Sequence, residues 1–247
     1  MTSRPAWRVS CPRALPTSRP SSRAEVLVLL DIDGTLLHGR PEAHGRAMAE
    51  AMAHEWGVEV TADDIWAIDP AGRTDRAIAR LVLRGKGLEG EAVDRGMPSW
   101  MEQASARHAR LMADFPAPVA APDADDVAVA LAHRGVDLAL VTGNLEPIGR
   151  AKVAAAGLGH HFGPGGGFGG DSEERADLVR VARTRAAAEH ADADVVVVGD
   201  TPRDIAAARA AGVRVLAVTT GAHDAHALRG ADQVVPDLAT AAEILLA

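Results

Sequence analysis

A run of aliphatic residues leads directly into two closely spaced carboxylates near the start of the chain. Residues 26–30 read VLVLL, and DIDGT follows at 31–35. A segment without a polar position is typical of a central strand buried on both faces of a parallel sheet. Because ligands bind beyond the carboxyl ends of such strands, Asp31 and Asp33 lie where a site would form. Neighbouring carboxylates repel unless a cation or a shared proton intervenes, so the pair indicates metal or acid/base chemistry; the alternative is an ordinary Asp-Gly turn.

Three further aliphatic segments occur in the second half of the chain, at residues 137–141, 195–198 and 213–218. Helical patterns lie among them and after the last. They cover residues 146–156, 172–188, 202–210 and 238–246. Strands that alternate with helices predict a parallel sheet covered on both faces. The fold class is therefore α/β.

Residues 37–122 interrupt this alternation with apolar positions at helical spacing, which predicts an all-helical insertion. The expected helices cover residues 41–56, 62–67, 74–84 and 91–114. Trp56, Trp66 and Trp100 are expected to form the core of the insertion and not a substrate platform.

Composition excludes several classes of function. A formal net charge of -8 without a basic stripe argues against nucleic acid or anionic membrane as partners. No apolar stretch approaches the roughly 20 residues that span a bilayer. Cys11 is the single cysteine, so intramolecular disulfides are impossible and a cytoplasmic location is expected. Residues 1–24 are rich in Arg, Ser and Pro; a disordered tail is the favoured interpretation, and a transit peptide is the alternative.

Two more polar motifs follow predicted strands. Thr142-Gly143-Asn144 comes after the second strand, and its hydroxyl, backbone amide and side-chain amide suit phosphoryl oxygens. After the third strand, Asp200 or Thr201 could cap a helix, and Asp204 lies one turn beyond Asp200 on the same face. Capping alone explains Asp200 but not Asp204.

These motifs, in this order, resemble those of the haloacid dehalogenase-like hydrolase superfamily. The family patterns are D-x-D-x-T, a Ser or Thr after the next core strand, and an acidic pair of the form G-D-x-x-x-D. The resemblance runs from residue 25 to the C-terminus. It implies a Rossmann-like catalytic core of residues 25–36 and 123–247, with a helical cap domain of residues 37–122 inserted after the first motif.

One family position departs from the pattern, because the usual residue there is Lys and no Lys follows Lys152. Arg175, near the start of a predicted helix, is the candidate for this role, since a guanidinium can hold a phosphoryl group bidentately. The alternative is a solvated Arg on the helix surface. Lys152 is interpreted as a surface residue.

The resemblance also implies a mechanism. Asp31 would form an aspartyl phosphate, and Asp33 would act as general acid and then general base. Mg2+ would be held by the Asp31 carboxylate, the Asp33 backbone carbonyl, Asp200 and Asp204. The phosphoryl oxygens would be held by Thr142, Gly143, Asn144 and Arg175. In the cap, Arg73 or Thr74 is expected to contact the organic part of the substrate.

The sequence thus predicts a magnesium-dependent phosphatase acting on a small phosphorylated metabolite, similar to phosphoglycolate phosphatase-like members. A phosphomutase of the same superfamily shares these motifs. Outside catalysis, a signalling receiver domain also carries a phosphorylated Asp with Mg2+. It differs in having an adjacent acidic pair, no cap and a late Lys. A binding module without activity is a further alternative, although four retained carboxylates disfavour it.

Overall fold

A computed structural model describes residues 26–39, 41–186 and 194–247 of the chain. The predicted disordered tail, residues 1–24, lies outside the described residues. Six parallel strands of the described residues form one sheet: β1 Val26–Leu30, β4 Asp137–Thr142, β5 Gly166–Phe168, β6 Asp194–Gly199, β7 Arg214–Val218 and β8 Gln233–Val235. Their order in the sheet is β5-β4-β1-β6-β7-β8. The predicted α/β fold is confirmed.

Strand β1 lies at the centre of this sheet, between β4 and β6. Its side chains alternate between two apolar clusters: Val28 and Leu30 pack in one, and Leu27 and Leu29 pack in the other. Helices cover both faces of the sheet, so β1 has no solvent-exposed face. This arrangement explains why the strand has no polar position.

Helices of the core follow the strands as the sequence indicated. They are α5 Ala124–His133, α6 Glu146–Ala155, α7 Arg175–Ala186, α8 Pro202–Ala211 and α9 Leu238–Leu245. Helix α5 and the two edge strands, β5 and β8, were not predicted from the sequence. Strand β5 has only three residues, two of them glycine, and it follows Gly163 and Pro164 in a glycine-rich run that reads as a connection.

The inserted segment contains four helices: α1 Glu42–Trp56, α2 Ala62–Trp66, α3 Asp75–Gly85 and α4 Glu91–Leu111. They share an apolar cluster that also includes Leu145 and Ile148 of the core, and in it the side chain of Trp100 is completely buried. At the base, the short strands β2 Leu37–His38 and β3 Val119–Ala120 pair antiparallel, so the insertion is not purely helical. The bounds of the cap, 37–122, stay a prediction. Within the described residues no helix combines the length and the apolar character that a membrane span requires.

Candidate active site

The predicted site residues meet at the carboxyl edge of the parallel sheet. Asp31 follows β1, Thr142 ends β4, and Asp200 follows β6. Because these three strands are neighbours, their ends bring the residues to one place. A cavity of about 490 Å³ opens above them, between the core and the inserted helices.

Three carboxylates form a buried cluster beside this cavity, and two of them, Asp31 and Asp200, line it. Asp31, Asp200 and Asp204 each offer an oxygen within 4.8 Å of the others. Burial, and then the charges of the neighbouring carboxylates, raise the pKa of Asp31 to about 7 and that of Asp200 to about 8. The Arg175 guanidinium acts in the opposite direction at both. If all three carboxylates were ionised, the cluster would hold more negative charge than Arg175 can neutralise.

Arg175 lies among these carboxylates and is not a solvated surface residue, so that alternative is wrong. Its side chain is 9% exposed, with Nη2 2.8 Å from Asp31 Oδ1 and 2.5 Å from Asp204 Oδ1. Although burial disfavours its charge, the two carboxylates outweigh burial and raise the pKa of Arg175. Nη1 also donates to the carbonyl of Gly72 at 3.1 Å. Arg175 thus joins the predicted nucleophile, the acidic pair and the inserted segment.

The local sequence fixes Asp204 in this arrangement. Thr201 begins helix α8, and its hydroxyl and backbone amide donate to Asp204 Oδ2 at 2.6 and 3.0 Å in a capping box. Asp204 Oδ1 remains for Arg175. Asp204 therefore both caps the helix and orients the guanidinium, so the prediction that capping explains Asp200 but not Asp204 is wrong.

Lys152 is buried, which contradicts the prediction of a surface residue. Its Nζ lies 2.5 Å from both carboxylate oxygens of Asp33 and 3.0 Å from Asn144 Oδ1, and the residue is 2% exposed. The signal was in the sequence: Lys152 lies four residues after Ile148 and three after Gly149, on the buried face of α6. Desolvation favours the neutral form of Asp33, but the charge and hydrogen bonds of Lys152 outweigh it and lower the pKa of that carboxyl.

Asn144 connects this pair to the second motif. Its Nδ2 donates to Asp33 Oδ2 at 2.8 Å and to Thr142 Oγ1 at 2.7 Å. The side chain of Asn144 is therefore occupied in orienting Asp33. Thr142 and Gly143 line the cavity beside it, as does Arg73 from the inserted segment.

The family model for haloacid dehalogenase-like hydrolases matches the sequence of residues 26–212, which contain the entire site described so far. The chain belongs to this family. The predicted resemblance and the enzyme class, a hydrolase, are confirmed.

Relatives of this haloacid dehalogenase-like hydrolase include two proteins named phosphoglycolate phosphatase. The one from Rhodospirillum rubrum is 31% identical over 210 residues, covering 78% of this chain and 79% of the relative. The one from Cereibacter sphaeroides is 29% identical over 227 residues, covering 85% of this chain and 96% of the relative. The solved structure of CbbY from Rhodobacter sphaeroides in complex with phosphate has a TM-score of 0.63 at 21% identity, covering 87% of this chain and 95% of that one. At this identity the structural likeness concerns the fold alone.

The acidic cluster of this haloacid dehalogenase-like hydrolase fits a hard divalent cation. Among the described residues, the Asp200 carboxylate accepts only from its own backbone amide and, at 3.5 Å, from Thr35 Oγ1. A buried carboxylate with so few donors lacks the compensation that burial of a charge requires. All three side chains offer oxygen, which Mg2+ prefers. The Asp33 carboxylate is turned to Lys152 instead, and its backbone carbonyl stays a predicted ligand.

A second group of buried polar residues joins the inserted helices to the core. Asp75 Oδ2 accepts from His44 Nε2 at 3.0 Å and from the backbone amide of Leu145 at 2.7 Å. The amide of Asp75 donates to the carbonyl of Gly143 at 2.8 Å. His44 and Asp75 were not predicted as site residues, because they lie 31 positions apart and belong to no recognised motif. The inserted helices are thereby fixed over residues 142–145, which include the predicted phosphoryl-binding loop, residues 142–144.

Gly143 is required by the same close approach. A Cβ atom at this position would overlap the backbone carbonyl of Arg73, which is not free to move away. The loop of residues 70–73 therefore packs directly on the second motif. Arg203 holds it from the other side, with Nη1 2.5 Å from the carbonyl of Ala71 and Nη2 2.9 Å from Asp69 Oδ2.

Proposed function

We propose that the chain is a magnesium-dependent phosphatase that hydrolyses a phosphate monoester of a small metabolite through an aspartyl phosphate at Asp31. One observation carries this proposal. The Asp31 carboxylate ends the central strand at the floor of the cavity, 2.8 Å from Arg175 and within the buried acidic cluster. The names of the relatives support phosphate ester hydrolysis as the reaction class.

In the first step, a carboxylate oxygen of Asp31 attacks phosphorus, and the bond from phosphorus to the alcohol oxygen breaks. Asp33 gives its proton to that oxygen, so that the alcohol leaves neutral. In the free enzyme the carboxyl of Asp33 is ionised beside Lys152. The negative charge of a bound phosphoryl group raises the pKa of Asp33. Asp33 thereby takes up a proton from solvent when substrate binds, and this proton then goes to the leaving alcohol.

In the second step, water attacks the phosphorus of the aspartyl phosphate and gives its proton to Asp33. The bond from phosphorus to the Asp31 oxygen breaks, which releases inorganic phosphate and regenerates the Asp31 carboxylate. This step needs Asp33 as a carboxylate, the form that Lys152 and Asn144 stabilise by hydrogen bonds. The two steps together consume one water and leave the protonation of both Asp residues unchanged.

The phosphoryl oxygens are assigned to donors that line the cavity. These are the Thr142 hydroxyl, the Gly143 amide and the Arg175 guanidinium, with Asn144 acting through Asp33. Fixed donors of this kind stabilise the charge that develops on the equatorial oxygens in the transition state. Arg73 lines the cavity from the inserted segment and stays our candidate for contact with the substrate.

Mg2+ would be held by Asp31, Asp200 and the backbone carbonyl of Asp33, with Asp204 as a direct or water-mediated ligand. When bound, the ion supplies positive charge that lets a phosphoryl dianion approach three carboxylates. Residues 37–122 are assigned as the cap that excludes bulk water from the first step.

The proposal is tested with p-nitrophenyl phosphate, with Mg2+ or with EDTA. We expect phosphate release to require Mg2+ and to fall by several orders of magnitude in Asp31→Asn, which keeps the shape but removes the nucleophile. Rapid quenching followed by borohydride reduction should convert phosphorylated Asp31 to homoserine in the parent only. Near-full activity of Asp31→Asn would refute the aspartyl phosphate. Transfer of the phosphoryl group to a hydroxyl of an added sugar phosphate, without release of inorganic phosphate, would instead identify a phosphomutase.

A further inference from the structure

The cavity above Asp31 has two chemically different ends. The core end carries the carboxylates and the phosphoryl donors. The opposite end, which we call the roof, is formed by residues of helices α1, α2 and α3. An ester whose phosphorus lies at Asp31 therefore places its leaving alcohol against the roof. The chemistry of the roof then indicates what that alcohol is.

The roof is largely apolar. Its lining side chains include Met48, Ile65, Trp66 and Ile78, and Pro41 and Pro70 continue the same surface at the edge of the cavity. The position of Trp66 differs from the sequence expectation, which placed all three tryptophans in the core of the insertion. The aliphatic side chains of this surface favour apolar groups and offer a carboxylate no hydrogen bond.

The polar side chains of the roof are His44, Asp75 and Trp66. His44 and Asp75 are bonded to each other at 3.0 Å, Asp75 also accepts from the Leu145 amide, and the indole N–H of Trp66 is an uncharged donor. Among the described residues that line the cavity from α1, α2 and α3, there is no Arg or Lys. The formal charge that Asp75 brings is negative, which is the wrong sign for a carboxylated leaving group.

Arg73 is the one Arg that lines the cavity from the described part of the insertion, and it belongs to the core end. Its backbone carbonyl packs on Gly143 of the phosphoryl-binding loop, and its Nε donates to the carbonyl of Asp69 at 3.0 Å. The loop that carries it is held to the core by Arg175 and Arg203. The backbone of Arg73 therefore belongs to the core end, and its guanidinium bonds to the loop at Asp69 and not to a residue of the roof.

We propose that the preferred substrate is the phosphate monoester of an uncharged alcohol with an apolar body, larger than a two-carbon unit, and not a carboxylated ester such as phosphoglycolate. This inference rests on the proposed phosphatase activity and narrows its substrate class. The cavity of about 490 Å³ is within the range of sites that enclose ligands much larger than glycolate. Each methylene that leaves water for the roof should raise kcat/KM severalfold.

The first test compares three monoesters of primary alcohols, with Mg2+ and release of inorganic phosphate as the readout: 2-phosphoglycolate, ethyl phosphate and 2-phenylethyl phosphate. We expect kcat/KM to be at least tenfold higher for 2-phenylethyl phosphate than for ethyl phosphate, and lowest for 2-phosphoglycolate. A preference for 2-phosphoglycolate would overturn the inference and leave the phosphatase intact. No release from any of the three or from p-nitrophenyl phosphate would refute the phosphatase itself.

The second test changes the roof. Ile65→Thr introduces a hydroxyl into the lining, and Val82→Thr makes a similar change in the same helical cluster at a buried residue away from the cavity. We expect the ratio of kcat/KM for 2-phenylethyl phosphate to that for ethyl phosphate to fall at least fivefold in Ile65→Thr alone. Equal ratios in both variants would overturn the inference. If Ile65→Thr does not fold, the partly exposed Trp66→Ala is measured instead, with the same expected fall and the same contradiction.

Discussion

The Nζ atom of Lys152 lies 2.5 Å from both carboxylate oxygens of Asp33, in a site where burial would otherwise favour the neutral acid. A lysine from helix α6 thereby determines the protonation state of the residue that moves protons in the proposed reaction. The same ammonium donates to Asn144. His108 from α4 is near enough that burial, followed by the charges of His44 and Lys152, lowers its pKa to about 3, which keeps it neutral.

Replacing Lys152 by Met should slow hydrolysis of the aspartyl phosphate. Without the ammonium the pKa of Asp33 rises, so less of the carboxylate is present to accept a proton from water. We expect kcat to fall by at least tenfold at pH 7, and the acidic limb of the profile of kcat against pH to move to higher pH. Lys152→Arg keeps the charge and should restore part of the loss.

The control is Lys86→Met, which removes the other lysine of the chain. Lys86 makes a partly exposed ion pair with Asp64 at 2.8 Å in the inserted segment, and such pairs contribute about 1 kcal/mol or less to stability. Its kinetics should match those of the parent. If Lys152→Met leaves the position of the acidic limb unchanged, Lys152 has only a structural role.

Sequence predicted the parts of the site that follow strands, and missed the parts that depend on packing. Asp31, Thr142 and Asp200 were predicted because each lies at the end of an aliphatic run, so its position at the edge of the sheet follows from the local sequence. Lys152 was missed although its place on the buried face of α6 could be read from helical spacing. His44 and Asp75 meet only when the inserted helices pack on the core, and no local pattern encodes that contact. The role of Arg175 was open for the same reason, because its partners are Asp31, which follows β1, and Asp204 in α8.

Adding a methyl group at Gly143 should separate the inserted loop from the core. In Gly143→Ala the new Cβ overlaps the Arg73 carbonyl, and overpacking of this kind costs about 1–3 kcal/mol. We expect a lower melting temperature and a reduced kcat/KM. The comparison is Gly85→Ala at the end of α3, where a Cβ meets nothing within 4 Å and the helix gains stability. A Gly143→Ala variant as stable and active as the parent would contradict the close packing.

Without metal, stability should fall as the pH rises. Asp31 and Asp200 have pKa values of about 7 and about 8 in the folded protein, against an ordinary value of 3.8. Between about pH 4 and pH 8 the folded state therefore holds protons that the unfolded state has lost. Each retained proton lowers the free energy of unfolding by about 1.4 kcal/mol per pH unit. Urea denaturation in EDTA at pH 5, 6, 7 and 8 measures this slope.

Two comparisons isolate the contribution of the acidic cluster to that slope. Asp200→Asn removes one titrating group, so the stability of this variant should depend less on pH than that of the parent. Added Mg2+ should stabilise the parent most at pH 8, where the carboxylates are ready to bind it, and least at pH 5. A parent whose slope matches that of Asp200→Asn would show that Asp200 ionises at its ordinary pKa.

Substitution of Arg175 tests whether this residue fills the position where the family usually has Lys. Arg175→Ala removes the cation between Asp31 and Asp204, so the phosphoryl group would meet uncompensated negative charge. We expect kcat/KM for p-nitrophenyl phosphate to fall by at least 100-fold, a loss of about 2.7 kcal/mol in transition-state stabilisation. Arg175→Lys keeps the charge but contacts one carboxylate at a time, and should recover part of the activity. Arg183→Ala, at an exposed position on the same helix α7, should behave like the parent. Unchanged kinetics in Arg175→Ala would contradict the assignment and direct the search to Arg203 and Arg73, because both lie beside the same loops of the cavity.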